Sequence, residues 1–209
     1  MRIVQVFFAT AVALILFPTM VSAQNTIGDP ELPRFEQVSE RLYRGAQPRA
    51  GGLRRLRELG IDTIVNLRGT GDLTRAEEAE ARALGLNYFN VPLPNWGRPQ
   101  DGRVRRILLI IAAPQNGRVF VHCRDGVDRT GTIVALHRIA HEGWSTGNAL
   151  AEAERAGMRR IQFWMRDYAD DYGRADTDFG DRLGVGVRIM EVYLHRAPSV
   201  LTKFLGGVF

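Results

Sequence analysis

A chain of 209 residues is long enough for one domain with a substantial core, and its formal net charge of +5 comes almost wholly from arginine, Lys203 being the sole lysine. The single cysteine, Cys123, excludes an intramolecular disulfide framework and a cysteine-rich metal site. The arginine excess suits an acidic or phosphorylated partner; no basic run is interleaved with aromatics, so nucleic acid is not expected.

The first residues read as a targeting segment. Met1-Arg2 is a short positive start, Val4 to Val21 is almost wholly apolar, and Val21-Ser22-Ala23 is a small-residue cleavage site before Gln24. Residues 1–23 are therefore predicted to be a signal peptide rather than a retained anchor, because the apolar stretch is near the lower limit for a span. The expected location is periplasmic or secreted, with no stable membrane span after cleavage. An exported chain that keeps one unpaired cysteine usually has a chemical use for it, and that cysteine has no resolving partner.

Residues 24–34, polar with Gly and Pro, read as a flexible leader to a single domain over 35–198, with an apolar tail over 199–209. Leu42 to Pro48 reads as an edge strand ending in a turn, and Gly52 to Leu59 as a helix stopped at Gly60. Ile61 to Arg68 is a buried strand that brings Arg68 either to a pocket rim or to a surface ion pair. Thr74 to Leu84 reads as a helix with Thr74 and Glu77 spaced as a capping box, and Leu86 to Leu93 as a strand. Pro92 to Gln100 is a loop. Asp101 to Ala113 is an amphipathic helix with Val104, Ile107, Leu108 and Ile111 on one face, and Pro114 to Gly117 turns back. Beyond a central strand and helix, Ser145 to Gly157 reads as a helix capped near Thr146 or Asn148. Gln162 to Tyr168 has mixed character and is expected to pack irregularly or as a helix, and Val185 to His195 reads as a last helix. The alternation predicts an α/β fold, a central and mainly parallel sheet flanked by helices. The chain is expected to be a monomer.

The central stretch carries the chemistry. Val119-Phe120-Val121-His122 reads as a buried strand, the chain breaks at Gly126, and Gly131 to Ala140 resumes as a mostly buried helix. A strand, a tight loop and a helix N-terminus form an anion cradle of inward N–H groups and partial positive charge. A field that holds an anion also favours a thiolate, so Cys123 is a candidate nucleophile. Arg129 closes the loop after five intervening residues with a fork suited to phosphate, and Thr130 follows with a hydroxyl placed to reach the sulfur.

His122-Cys123, five residues, then Arg129-Thr130 resembles the phosphate loop of the cysteine-based tyrosine and dual-specificity phosphatases. The segment from Leu42 to Pro48 is similar to the opening of the small bacterial and plant-fungal members. The resemblance implies a phosphatase-like fold and a two-step reaction without cofactor or metal. Cys123 would attack phosphorus, and water would release phosphate from a phosphocysteine. Arg129 and the loop amides, those of Gly126 and Val127 among them, would bind the phosphoryl oxygens. Thr130 would help Cys123 leave, and His122 would orient the loop. Arg124 and Asp125 are expected to line the pocket mouth and shape specificity. The expected substrate is a phosphorylated protein, phosphotyrosine before phosphoserine or phosphothreonine, or a phosphorylated small molecule or lipid headgroup.

The general acid is less plain. In the resembled family it is an aspartate on the loop before the helix that precedes the central strand, and that position falls near Asn95 here. Asparagine cannot donate a proton as a carboxylic acid does. Two candidates remain: Asp101 at the loop's end, and Asp128 inside the phosphate loop. Cys-x-x-Gly-x-Asp-Arg-Thr resembles the loops of myotubularin-type and secreted bacterial phosphatases, in which a loop aspartate serves. A sulfur-transfer enzyme similar to rhodanese and a phospho-ligand binding module without an acid stay open as alternatives. His137 and His141, four apart on a helix, have no third ligand nearby in sequence and read as ordinary helix positions.

Overall fold

The structure is a computed structural model, described here for residues 29–183, with side chains as far as Arg174. The predicted signal peptide, the helix expected over 185–195 and the tail lie outside the described residues. Five strands form one sheet in the order β1-β2-β5-β3-β4: β1 is Glu36–Gln37, β2 Leu42–Gly45, β3 Thr63–Asn66, β4 Asn87–Asn90 and β5 Val119–His122. All neighbours are parallel except β1, which runs antiparallel to β2. The predicted α/β class with its mainly parallel sheet is therefore the fold observed.

β5 lies in the middle because both of its faces are covered. Val119, Phe120, Val121 and His122 are all buried, as expected of a short β-branched and aromatic strand between two helical layers. Period-2 alternation sends neighbouring side chains to opposite faces. Tyr43, Ile64 and Phe120 pack with Leu53 and Leu56 of α1 (Gly52–Glu58) and with Ala81 of α2 (Asp72–Ala83). Leu42, Val65 and Val121 pack on the other face with Ile107, Leu108 and Ile111 of α3 (Asp101–Ala112) and Ile133 and Leu136 of α4 (Asp128–Glu142). The second layer is completed by α5 (Thr146–Arg155) and α6 (Phe163–Leu183). Ser145 is the cap residue of α5, its side chain accepting from the Asn148 N–H at 3.3 Å.

Four expectations need correcting. β2 is an interior strand and not an edge, because the short β1 covers its outer side. Residues 29–34 are not a free leader: Leu32 is buried in the core, and the Ala46 and Arg49 N–H groups donate to Pro33 O and Glu31 O at 2.9 Å each. α2 begins at Asp72, so Thr74 is inside it and donates to Gly69 O, while Glu77 turns into the protein instead of closing a capping box. α4 starts at Asp128, three residues earlier than its apolar run suggests, while the stretch after Gln162 takes the helical one of its two expected forms and begins a 21-residue helix.

β2, β3 and β5 are in parallel register, and their carboxyl ends meet side by side, Gly45 and Asn66 both opposite His122. In open parallel sheets the ligand crevice lies beyond such an edge.

His137 on α4 gives the fold a pH dependence. Burial, and then the neighbouring His141, push its imidazole from 6.5 down to about 4. The unfolded chain therefore binds the extra proton between those values, and stability falls as the pH drops through that window. Replacing His137 by Gln is expected to flatten the decline by about 2 kcal/mol. Thermal melts of both proteins from pH 7.5 to 4.5 check this; parallel curves would refute it.

Candidate active site

The site is built by turning peptide groups. β5 ends at His122, and Cys123, 2% exposed, opens a five-residue loop that runs to Val127 before α4 begins. Two loop carbonyls are held from outside, and a third lies beside an imidazole nitrogen. The Gln47 N–H donates to Arg124 O at 3.2 Å, Arg44 Nη2 donates to Gly126 O at 2.9 Å, and His122 Nδ1 lies 3.3 Å from Cys123 O. A trans peptide points its N–H away from its C=O. The N–H groups of Arg124, Asp125 and Val127 are therefore aimed to the opposite side, and none of them meets a backbone carbonyl among the described residues. With the start of α4 they form the anion cradle. The Gly126 N–H donates to Cys123 Sγ at 3.3 Å.

Gly126 is required at its position. Its φ is +71°, and a Cβ there would lie 2.6 Å from the carbonyl of Gly45 and from Ala46 N. The end of β2 thus lies flat against the phosphate loop, with backbone on backbone.

Cys123, Arg124, Asp125, Val127, Asp128 and Arg129 line one cavity of about 200 Å³. Asn95, Trp96, Arg159 and Gln162 complete its wall, so Asn95 does sit at the pocket. Arg129, in the first turn of α4, donates through Nη1 to Leu67 O at 3.2 Å. Arg124 and Asp125 form a bidentate pair, 3.0 Å for each bond, and the guanidinium holds the Asp125 carboxyl below its ordinary range. Thr130 is fully buried, but its hydroxyl makes no hydrogen bond among the described residues; the expected bond to sulfur comes from the Gly126 N–H instead.

The two acid candidates part company. Asp128 faces the cavity and is occupied as an acceptor: the Arg159 N–H and Nε donate to its two oxygens at 2.9 and 2.8 Å. Asp101 does not reach the cavity. Its carboxylate accepts from the Tyr168 hydroxyl of α6, 2.9 Å away, in a larger cavity of about 370 Å³ that contains no cysteine. Size is no guide here; the chemistry belongs to the smaller cavity.

Beneath the loop lies a buried polar network of which the sequence named only single members. Glu77 Oε1 is 2.8 Å from His122 Nε2, and its other oxygen accepts from Asn66 Nδ2 and Gln47 Nε2 at 2.8 Å each. Burial alone would raise the Glu77 carboxyl; His122, Gln47 and the nearby Arg68 outweigh it and hold it below its ordinary range. Arg68 donates to Gln47 Oε1 at 2.6 Å, so it braces the loop's support and does not stand free at a rim. Arg44, Glu77 and Arg159 were the functional neighbours sequence missed. Glu77 reads as a helix acid, and nothing in pattern or spacing marks Arg159.

The comparisons agree with this geometry. Residues 19–167 match the family described as DSP-PTPase phosphatase fused to NAD+ kinase. The chain belongs to the cysteine-based dual-specificity phosphatase family. It is 33% identical over 151 residues to the dual specificity protein phosphatase TpbA of Pseudomonas aeruginosa, an alignment spanning 72% of this chain and 66% of that protein. The crystal structure of TpbA superposes with a TM-score of 0.58 at 27% identity, covering 71% of this chain and 92% of that one. A Cys-to-Ser variant of TpbA in complex with phosphotyrosine gives 0.56 at 25% identity, covering 68% and 89%. The core catalytic domain of the PP-IP phosphatase SIW14 from S. cerevisiae shares the fold, with a TM-score of 0.62 at 20% identity over 72% and 93%.

Gly126→Ala is expected to destabilise the chain by about 1–3 kcal/mol from its backbone conformation alone, and by more from the clash with Gly45. It should also remove turnover. Paired melts and phosphatase assays check both, and a folded, active alanine variant would overturn the close-approach argument.

Proposed function

We propose that this protein is a periplasmic or secreted phosphatase that hydrolyses phosphomonoesters, phosphotyrosine first among them, through a phosphocysteine. The observation that carries the reading is Cys123 in a cavity shared with Arg129, below a loop whose Arg124 and Gly126 carbonyls are bound from outside. The Cys123 thiolate attacks phosphorus, and the S–P bond forms as the ester P–O bond breaks. The leaving oxygen takes a proton from Asp128. Water then attacks the phosphocysteine, Asp128 takes a proton from it, and inorganic phosphate leaves with the thiolate restored. Charge growing on the phosphoryl oxygens is met by fixed amide dipoles and by Arg129.

Asp128 can serve only when Arg159 lets go of it. An incoming phosphoryl group offers Arg159 an alternative anion, so substrate itself would free the carboxylate, which takes up the proton of a monoanionic phosphomonoester and then passes it to the leaving oxygen. Phosphotyrosine is favoured over smaller esters because Trp96, 58% exposed, forms part of the wall and packs edge-on to Trp164 at 5.2 Å. That a related phosphatase has been seen with phosphotyrosine adds weight. Asn95 at the wall, where a carboxylate is usual, favours one rival, a module that binds phosphate without turnover.

The reduced mature protein, residues 24–209, is expected to hydrolyse p-nitrophenyl phosphate, and Cys123→Ser to have no activity. Inactivity of both with phosphate still bound would select the binding module. Asp128→Asn should lower kcat on phosphotyrosine by about 100-fold and on p-nitrophenyl phosphate much less, since only the poorer leaving group needs the acid. Equal losses on the two esters would remove Asp128 from that role.

Export is tested separately. When the full chain is expressed in a Gram-negative host, the periplasmic fraction should contain a protein whose first residue is Gln24. Retention of Met1 in the cytoplasm or membrane would refute it.

A further inference from the structure

A buried arginine stands under the phosphate loop, and neither the fold nor the proposed reaction accounts for its charge. Arg44 lies on β2, is 2% exposed, and donates Nη2 to Gly126 O at 2.9 Å. Its one ion pair among the described residues is long: Glu36 Oε2 is 4.0 Å from Nε, on a side chain 62% exposed to water. A surface carboxylate at that range compensates a buried cation poorly. If only the hydrogen bond mattered, a neutral amide could supply it without burying a charge.

The other charged groups around Cys123 are already matched or assigned. Arg124 is paired with Asp125 in the loop, and Arg159, before α6, with Asp128 on α4. His122 on β5 is backed by Glu77 on α2. Arg129 on α4 is the phosphoryl ligand of the proposed reaction. Of the groups that act on Arg44, Glu36 is exposed and Glu152 is bound to Arg138, which leaves the sulfur. Burial, and to a lesser degree the neighbouring Arg34, pull its guanidinium below its ordinary value, while Glu36, Glu152 and Cys123 pull it back.

We propose that Arg44 is a positioning residue with two duties: it turns the Gly126–Val127 peptide so that its N–H faces the cradle, and it supplies the buried positive charge that stabilises the Cys123 thiolate before substrate arrives. This rests on the reading of Cys123 as the nucleophile. The bond fixes one peptide, and the charge acts through space on the whole loop. Arginine does both because its fork reaches a carbonyl while the cation stays charged in a buried site.

The test reads the thiolate directly. Cys123 is the only cysteine, so iodoacetamide labelling of the unliganded mature protein, followed by mass against pH, reports it alone. Arg44→Gln keeps a donor and removes the charge; its labelling midpoint is expected to rise by about one pH unit. Arg44→Lys keeps the charge; its midpoint should stay near the wild-type value while kcat/KM falls. Glu36→Gln, on the exposed edge strand, removes the competing carboxylate and should move the midpoint down. A folded Arg44→Gln with an unchanged midpoint would overturn the proposal. Should Arg44→Gln fail to fold, a rise in Arg44→Lys, or no fall in Glu36→Gln, would overturn it instead. Labelling is scored without turnover, so midpoints that move as expected in a protein lacking phosphatase activity would refute the proposed reaction and leave the role of Arg44 standing.

Discussion

The structure depends on one close approach, the packing of Gly126 against the backbone of Gly45 and Ala46. Because β2 and β5 run in parallel register with Gly45 opposite His122, the chain leaving β5 must pass over the end of β2 at backbone distance. That contact leaves no room for a side chain, and it places Arg44 and Gln47 where they reach the loop carbonyls. Peptide planarity does the rest, since each carbonyl drawn outward sends an N–H inward. The cradle is thus a consequence of strand register. A cradle fixed by the sheet in this way has the rigid donors that electrostatic preorganisation requires.

The charges of the site come largely in internal pairs. Arg124 has Asp125, Arg159 has Asp128, and His122 has Glu77. Paired in this way, the mouth of the cavity presents little net charge, and selection falls to the oriented amides and Arg129. Such a pocket prefers a tetrahedral oxyanion by the placing of donors more than by raw potential. On the proposed reading it also makes Arg159 an exchangeable partner, able to leave a carboxylate for a phosphoryl oxygen.

Much of this was visible in the chain. The strand, loop and helix around Cys123, the glycine at the break and the arginine that closes the loop follow from short-range pattern, as does the alternation that predicts the parallel sheet. What escaped depends on contacts distant in sequence. Glu77 looks like an ordinary helix acid until the fold sets it 2.8 Å from His122. Arg159 lies 31 residues from Asp128 and is joined to it only by the packing of the segment before α6. β2 reads as an edge because its covering strand, Glu36–Gln37, is two exposed residues with no apolar signature. The helical run from Phe163 was half legible, its aromatic start leaving helix and irregular packing both open.

These distant contacts also explain how the pocket wall differs from the pattern that the chain resembles. The loop bearing Asn95 is tied to the segment before α6: Gln162 Nε2 donates to Asn95 O at 3.3 Å, Gln162 Oε1 accepts from Trp164 Nε1 at 2.9 Å, and Trp164 meets Trp96. A loop pinned in this way is poorly suited to carrying a proton donor in and out. On the proposed reading the acid sits instead on α4, a rigid helix already bearing Arg129, so both catalytic side chains keep one geometry relative to Cys123. The motion that the reaction needs is then moved from a backbone segment to the half-exposed side chain of Arg159. Side-chain rotation is faster than loop closure. It also couples release of the acid to the arrival of the anion that needs it.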